Sequence, residues 1–105
     1  MNSKVKYHVL VVDDEEDLRE LIAMTLIKMG LEVETASGVI EAKNKLANKK
    51  NCYSLVLTDM RMPDGSGLEL VEYINKNNFD LPVAVITAYG NSDNAVDALK
   101  KGAFD

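Results

Sequence analysis

Apolar residues come in short blocks whose spacing alternates between two periods. His8-Val9-Leu10-Val11-Val12 is a mostly β-branched run bounded on its far side by acids, which predicts a strand buried on both faces. From Glu15 to Met29 the positions Leu18, Leu21, Ile22, Thr25-Leu26 and Met29 recur at helical spacing, and Gly30 stands where a left-handed cap would stop that helix. Leu31 to Ala36 alternates apolar and polar, as a half-exposed strand does. Val39, Ala42 and Leu46 make a second helical stripe, with Ser37 as its expected N-cap. Ser54-Leu55-Val56-Leu57-Thr58 predicts an inner third strand that delivers Asp59 at its C-terminal end. Pro63-Asp64-Gly65 is turn chemistry, and Ser66-Gly67-Leu68-Glu69 matches a capping box opening a third helix through about Lys76. Pro82 to Ile86 predicts a fourth strand ending at Thr87. Asn91-Ser92-Asp93 is expected to cap a fourth helix, buried through Ala95, Val96 and Leu99 and stopped at Gly102.

The order is βαβαβαβα, which implies an α/β fold: a parallel sheet with helices on both faces. At 105 residues this is one domain, and 47% hydrophobic with 28% charged residues excludes disorder. A formal charge of -5 argues against nucleic-acid or acidic-membrane binding by this segment, since both need a basic surface. Cys52 is the one cysteine, so no intrachain disulfide forms; it reads as a small side chain near a strand start. No signal peptide is evident, and no run approaches the ~20 apolar residues needed to cross a bilayer. The expected location is cytoplasmic.

In parallel α/β sheets, ligands bind beyond the carboxyl ends of the strands. Three predicted strands end in polar residues that packing does not explain: Asp13-Asp14 after the first, Asp59 after the third, Thr87 after the fourth. Parallel strands place these ends on one edge, so three carboxylates and a hydroxyl should converge. Like charges ~4 Å apart repel by about 4 kcal/mol at an effective dielectric near 20, so such a pocket raises a pKa or recruits a cation. Hard oxygen donors suit Mg2+ or Mn2+ rather than zinc. A carboxylate beside a hydrated divalent cation is able to attack phosphorus and form an acyl phosphate. Asp59, alone at the middle of the edge, is the expected nucleophile, and Thr87 supplies the hydroxyl.

Blander readings exist for each residue alone. Asp14 with Glu15-Glu16-Asp17 could cap the first helix and complement its dipole; Asp59 could be a turn residue; threonine is common in strands. Their coincidence at three strand ends favours a site. His8 stands at the other end of the first strand and is read as a surface or strand-edge residue.

The same residues resemble the receiver domains of bacterial response regulators. The matching segments are VLVVDDEEDLRELI, LVLTDMRMPDGSGLELVEYI and LPVAVITAYGNSDNAVDALKKGAFD, which cover the chain from about residue 7 onward. The resemblance implies a flavodoxin-like doubly wound parallel sheet of strand order 2-1-3-4(-5). It implies that Asp59 accepts a phosphoryl group from a phosphohistidine on a sensor histidine kinase. Asp14 would ligate Mg2+ directly, Asp13 would be closely associated, and the backbone carbonyl of Arg61 would complete the protein ligands. Thr87 and the N–H groups of Met60 and Ala88 would face the phosphoryl oxygens, and Pro63 and Gly67 would shape the loop into the third helix. Within the family the chain looks like the sigma-54-dependent activators related to nitrogen regulators and to regulators of type IV pilus genes, whose transcription-activating output lies in a further segment.

One departure is expected to matter. The family's fifth strand, its lysine and aromatic switch residue, and its fifth helix are absent from this 105-residue chain, and Lys100 and Lys101 lie too early to replace that lysine. A chain so cut short is expected to expose its fourth strand as an edge, to self-associate as a possible homodimer or lose stability, and to be phosphorylated poorly. Other classes fit less well. A magnesium-dependent phosphohydrolase needs an acid two residues past its nucleophile, where Arg61 stands. A nucleotide- or flavin-binding module needs a glycine- or hydroxyl-rich loop after the first strand, where five acids stand. A receiver-like assembly module that works without phosphorylation remains the alternative.

Overall fold

The structure, a computed structural model, describes residues 7–48, 52–77, 80–86 and 103–104. Its elements run β1 (His8–Val12), α1 (Glu16–Lys28), β2 (Glu32–Ala36), α2 (Val39–Ala47), β3 (Leu55–Asp59), β4 (Arg61–Met62), β5 (Gly65–Ser66), α3 (Gly67–Lys76), β6 (Val83–Ile86) and β7 (Ala103–Phe104). Five of the strands form one sheet of order β2-β1-β3-β6-β7, every pair parallel. The predicted order 2-1-3-4 holds. The predicted fourth helix, with Thr87 and Ala88, lies outside the described residues.

Strand β1 is apolar on both faces because both faces are covered. Val9, Leu10, Val11 and Val12 are each at most 2% exposed. Side chains alternate along a strand, so Leu10 and Val12 join the cluster of Val39, Ala42, Leu46, Val56, Leu70, Val71 and Ile74 under α2 and α3. Val9 and Val11 point to the opposite face, where α1 packs on β1 and β2. Each such side chain contributes about 1.5–3 kcal/mol on full burial.

Helix α1 ends as its sequence requires. Gly30 takes φ +91°, Leu31 N–H donates to the Leu26 carbonyl and Gly30 N–H to that of Ile27, a complete left-handed cap. Its buried stripe differs from the expected one: Leu18, Ile22 and Leu26 are half-buried, whereas Leu21 and Met29 are exposed. The Arg19 guanidinium donates to the Asp13 carbonyl at 2.8 Å, and Arg19 and Ala23 are half-buried along with that stripe.

Helix α2 buries Val39, Ala42 and Leu46 as predicted, but Ser37 does not cap it. Ser37 bonds Glu41 instead, and the free N–H groups of Val39 and Ile40 donate to Asp64, 2.9 Å each. Ser66 does cap α3, accepting from Leu68 N–H at 3.0 Å, one position earlier than a capping box would have it.

The expected absence of the fifth strand is corrected. Ala103 and Phe104 form β7, paired with Val83 and Ala84 of β6, so β6 is not the sheet edge there. A two-residue strand is too short to show any alternation in sequence.

Candidate functional site

Register decides which strand ends meet. Val12 of β1 pairs with Thr58 of β3, so the next residues, Asp13 and Asp59, stand side by side at the carboxyl edge of the sheet. Asp59 itself pairs with Ile86, the last residue of β6, and Thr87 follows Ile86 in sequence. On the other side Val12 pairs with Ala36, whose carbonyl accepts the Asp13 N–H at 3.1 Å.

Asp13, Asp14 and Asp59 form one cluster, each offering a carboxylate oxygen within 4.8 Å of the others. Asp13 is only 3% exposed, Asp59 is half-buried and Asp14 faces solvent. The cluster is therefore walled on the protein side and open on one flank. Asp13 Oδ1 accepts the Glu15 N–H at 2.9 Å, and Asp59 Oδ1 accepts the Met60 N–H at 2.8 Å. These backbone donors orient the carboxylates, but no cationic side chain among the described ion pairs neutralises them. Glu15 occupies the N-cap position of α1 without a side-chain bond to the helix, so the reading of this block as a simple helix cap fails. Glu16 and Asp17 in the first turn complement the dipole.

The Asp59 carboxyl is pushed above the ordinary carboxylate range. Burial is the main cause, and the negative charges of Asp13 and Asp14 add to it; the N–H groups of Met60 and Arg61 oppose the shift. A divalent cation among the three carboxylates would remove the repulsion. The donor set fits one, since all the side-chain atoms offered are hard oxygens.

Gly67 is what lets Asp59 sit where it does. A Cβ at position 67 would lie 2.2 Å from the Asp59 carbonyl oxygen, and the Gly67 N–H donates to the Met60 carbonyl at 2.9 Å. Between these points the chain makes a small antiparallel hairpin, Arg61↔Ser66 and Met62↔Gly65, turned at Pro63-Asp64 with Gly65 at φ +151°. The hairpin was not predicted, although its turn residues were. Arg61, whose carbonyl was expected to serve as a ligand, is the first residue of β4 and exposed. Arg19 was also missed: its bond to the Asp13 carbonyl holds the acidic turn against α1. Its signal, a basic residue one turn into an acidic helix start, is too common to read alone. His8 lies away from the cluster, beside Glu34 and Tyr53.

The family described as response regulator receiver domain matches residues 9–105. This chain belongs to that family. The receiver domain is 54% identical over 96 residues to the response regulator protein PilR of Pseudomonas aeruginosa, covering 91% of this chain and 21% of PilR. It thus spans about a fifth of that relative's length. Among solved structures it is similar to a response regulator receiver domain protein from Clostridium thermocellum, at 37% identity and a TM-score of 0.86, covering 93% of this chain and 78% of that one. It is also similar to the response regulator TrrA of Thermotoga maritima, solved in complex with Mg2+-BeF, at 34% identity and a TM-score of 0.81 over 93% of this chain and 84% of that one. Within the receiver domain, the acidic cluster lies at the sheet edge where this architecture places ligands.

Proposed function

We propose that the domain binds Mg2+, or Mn2+, through Asp13, Asp14, Asp59 and the Arg61 carbonyl, and takes a phosphoryl group onto Asp59 from a phosphohistidine of a sensor histidine kinase. The observation that carries the reading is the cluster of three carboxylates within 4.8 Å, with Asp59 raised in pKa first by its burial and then by its acidic neighbours. The cation supplies charge neutralisation and lets a carboxylate approach an anionic phosphoryl group. Asp59 attacks phosphorus through one carboxylate oxygen, the P–N bond to the histidine breaks, and the leaving imidazole takes a proton. Met60 N–H, already aimed at the Asp59 carboxylate at 2.8 Å, together with Ala88 N–H and the Thr87 hydroxyl, would hold the phosphoryl oxygens. Phosphorylation would then switch a transcription-activating output of the sigma-54-dependent kind, as the resemblance of the sequence motifs implies. The proposed setting is the cytoplasm; no helix among the described residues is long and apolar enough to cross a membrane. A second copy of the domain is a further proposed partner, with β7 as the outer strand of the sheet.

The test is incubation with acetyl phosphate and Mg2+, read by intact mass at the end point. Wild type should gain one phosphoryl group, and Asp59→Asn none. Uptake by both would move the acceptor elsewhere. Uptake by neither, repeated in a longer chain that carries the family's lysine-bearing strand, would leave an assembly module that works without phosphorylation.

A further inference from the structure

Asp64 belongs to neither the acidic cluster nor the core, yet its carboxylate joins two elements that flank the site. Oδ1 accepts the Val39 N–H and Oδ2 the Ile40 N–H, 2.9 Å each, across 25 and 24 residues of chain. These are the first two residues of α2, whose own N-cap Gly38 has no side chain to offer. The bonds are strong enough to hold the Asp64 carboxyl below its usual range, Ile40 N–H contributing most and Val39 N–H next.

Tracing the backbone from this contact in both directions leads to the cluster. Behind α2 lie Gly38, Ser37 and then Ala36, whose carbonyl receives the Asp13 N–H. Behind Asp64 lie Pro63, Met62 and Arg61, then Met60 and Asp59. The far stem of the hairpin returns through Ser66, the α3 cap, to Gly67, which is bonded to Met60. The Asp64 carboxylate therefore closes a ring that ties the Asp13 side of the site to the Asp59 side.

Gly38 shows how closely the closure is fitted. A Cβ there would lie 2.6 Å from Asp64 Oδ1 and 2.8 Å from Oδ2. Gly38 has extended backbone that any residue adopts, φ -175°. The position is thus constrained by the docked carboxylate and by nothing in its own conformation. Gly65, next to Asp64, has φ +151°, and a Cβ there would lie 2.8 Å from Glu69 Oε2 and 3.2 Å from Val39 Cγ2.

We infer that Asp64 is a positioning residue of the metal site: by clamping the β4–β5 turn onto the first turn of α2, it fixes the loop that carries the Arg61 carbonyl relative to Asp13 and Asp59. The inference rests on the proposed Mg2+ site. Without the clamp the hairpin keeps its own pairing and the buried Met62 but loses its tie to α2, so the Arg61 carbonyl is less closely fixed when a cation binds. Supporting contacts of this kind change metal affinity by about 10-fold or more.

The test is a Mg2+ titration followed by backbone amide NMR of wild type, Asp64→Ala, Asp64→Asn and Gly38→Ala. Val39 and Ile40 amide signals report the clamp, and the signals of Asp13 to Glu15 and Asp59 to Arg61 report the metal. Asp64→Ala should move the Val39 and Ile40 signals and weaken Mg2+ by about 10-fold. Asp64→Asn, which keeps one acceptor oxygen, should recover part of the affinity. Gly38→Ala, which leaves Asp64 in place and displaces its carboxylate, should match Asp64→Ala and covers the case in which that variant does not fold. Unchanged Mg2+ affinity in any folded variant whose Val39 and Ile40 signals have moved overturns the inference. Failure of wild type itself to bind Mg2+ overturns the metal site, and the clamp's role with it.

Discussion

Ionisable side chains gather near both ends of the parallel sheet, and they are arranged differently. Near the start of β1, His8 Nε2 lies 3.5 Å from Glu34, the Tyr53 hydroxyl donates to the same carboxylate, and the His8 and Tyr53 rings meet at 4.7 Å, tilted by 42°. Ser54 closes that group, its Oγ accepting the His8 N–H at 3.2 Å. One carboxylate is surrounded by donors, and the Tyr53 phenol is pushed well up by burial first and then by Glu34. At the far end, Asp13, Asp14 and Asp59 face one another with backbone N–H groups as their donors. Hydrogen bonding closes on itself in the first cluster, while in the second three carboxylates face one another. A cluster that satisfies its own members holds the fold together; one that does not is where an external charge belongs.

Breaking the open cluster should have the larger effects. Asp13→Asn or Asp14→Asn each removes a hard donor, and Mg2+ binding by calorimetry should weaken at least about 10-fold. Gly67→Ala drives a Cβ toward the Asp59 carbonyl at 2.2 Å, and urea unfolding should show a loss of about 1–3 kcal/mol, with Mg2+ affinity falling as Asp59 shifts. Breaking the closed cluster should be milder. Tyr53→Phe removes one hydrogen bond to Glu34 and should cost about 1 kcal/mol in the same urea experiment while leaving Mg2+ affinity unchanged. A clear drop in Mg2+ affinity in that variant would erase the distinction between the two ends.

The smallest effect is one of pH. The folded-state pKa of Asp59 lies above its unfolded value, so the folded chain holds this proton more tightly. Stability from this group is present at low pH and lost as pH rises through the carboxylate range. In Mg2+-free buffer wild type should therefore fall in stability relative to Asp59→Asn across that range, by less than about 1 kcal/mol because Asp59 is partly solvated. Saturating Mg2+ should cancel the gap or reverse it. A gap of opposite sign without metal would show that Asp59 is not under the repulsion described.

What was legible beforehand was local. The β-branched run of β1, the Gly30 stop, the Ser66 cap and the placing of Asp59 at a strand end each depend on residues within a few positions of one another. What was not legible depends on distant partners. Asp64 replaces Ser37 as the cap of α2 from 25 residues away, and nothing in the Ser37 region announces it. Which side of α1 meets the sheet is set by its packing on β1 and β2, so a stripe placed by period alone put Leu21 and Met29 inside when they are exposed. Strands β4, β5 and β7 are each two residues long and have no period to detect. The residues of the site were readable because parallel topology sends strand ends to one edge. Their proximity followed from the register Val12↔Thr58, which the sequence does not state.

The most direct measurement is anomalous diffraction from crystals of the domain soaked with Mn2+ at saturating concentration. The account predicts a single strong peak bonded to carboxylate oxygens of Asp13, Asp14 or both and of Asp59, with the Arg61 carbonyl turned toward it. A peak elsewhere, or none while those carboxylates part to separate solvent contacts, would contradict it.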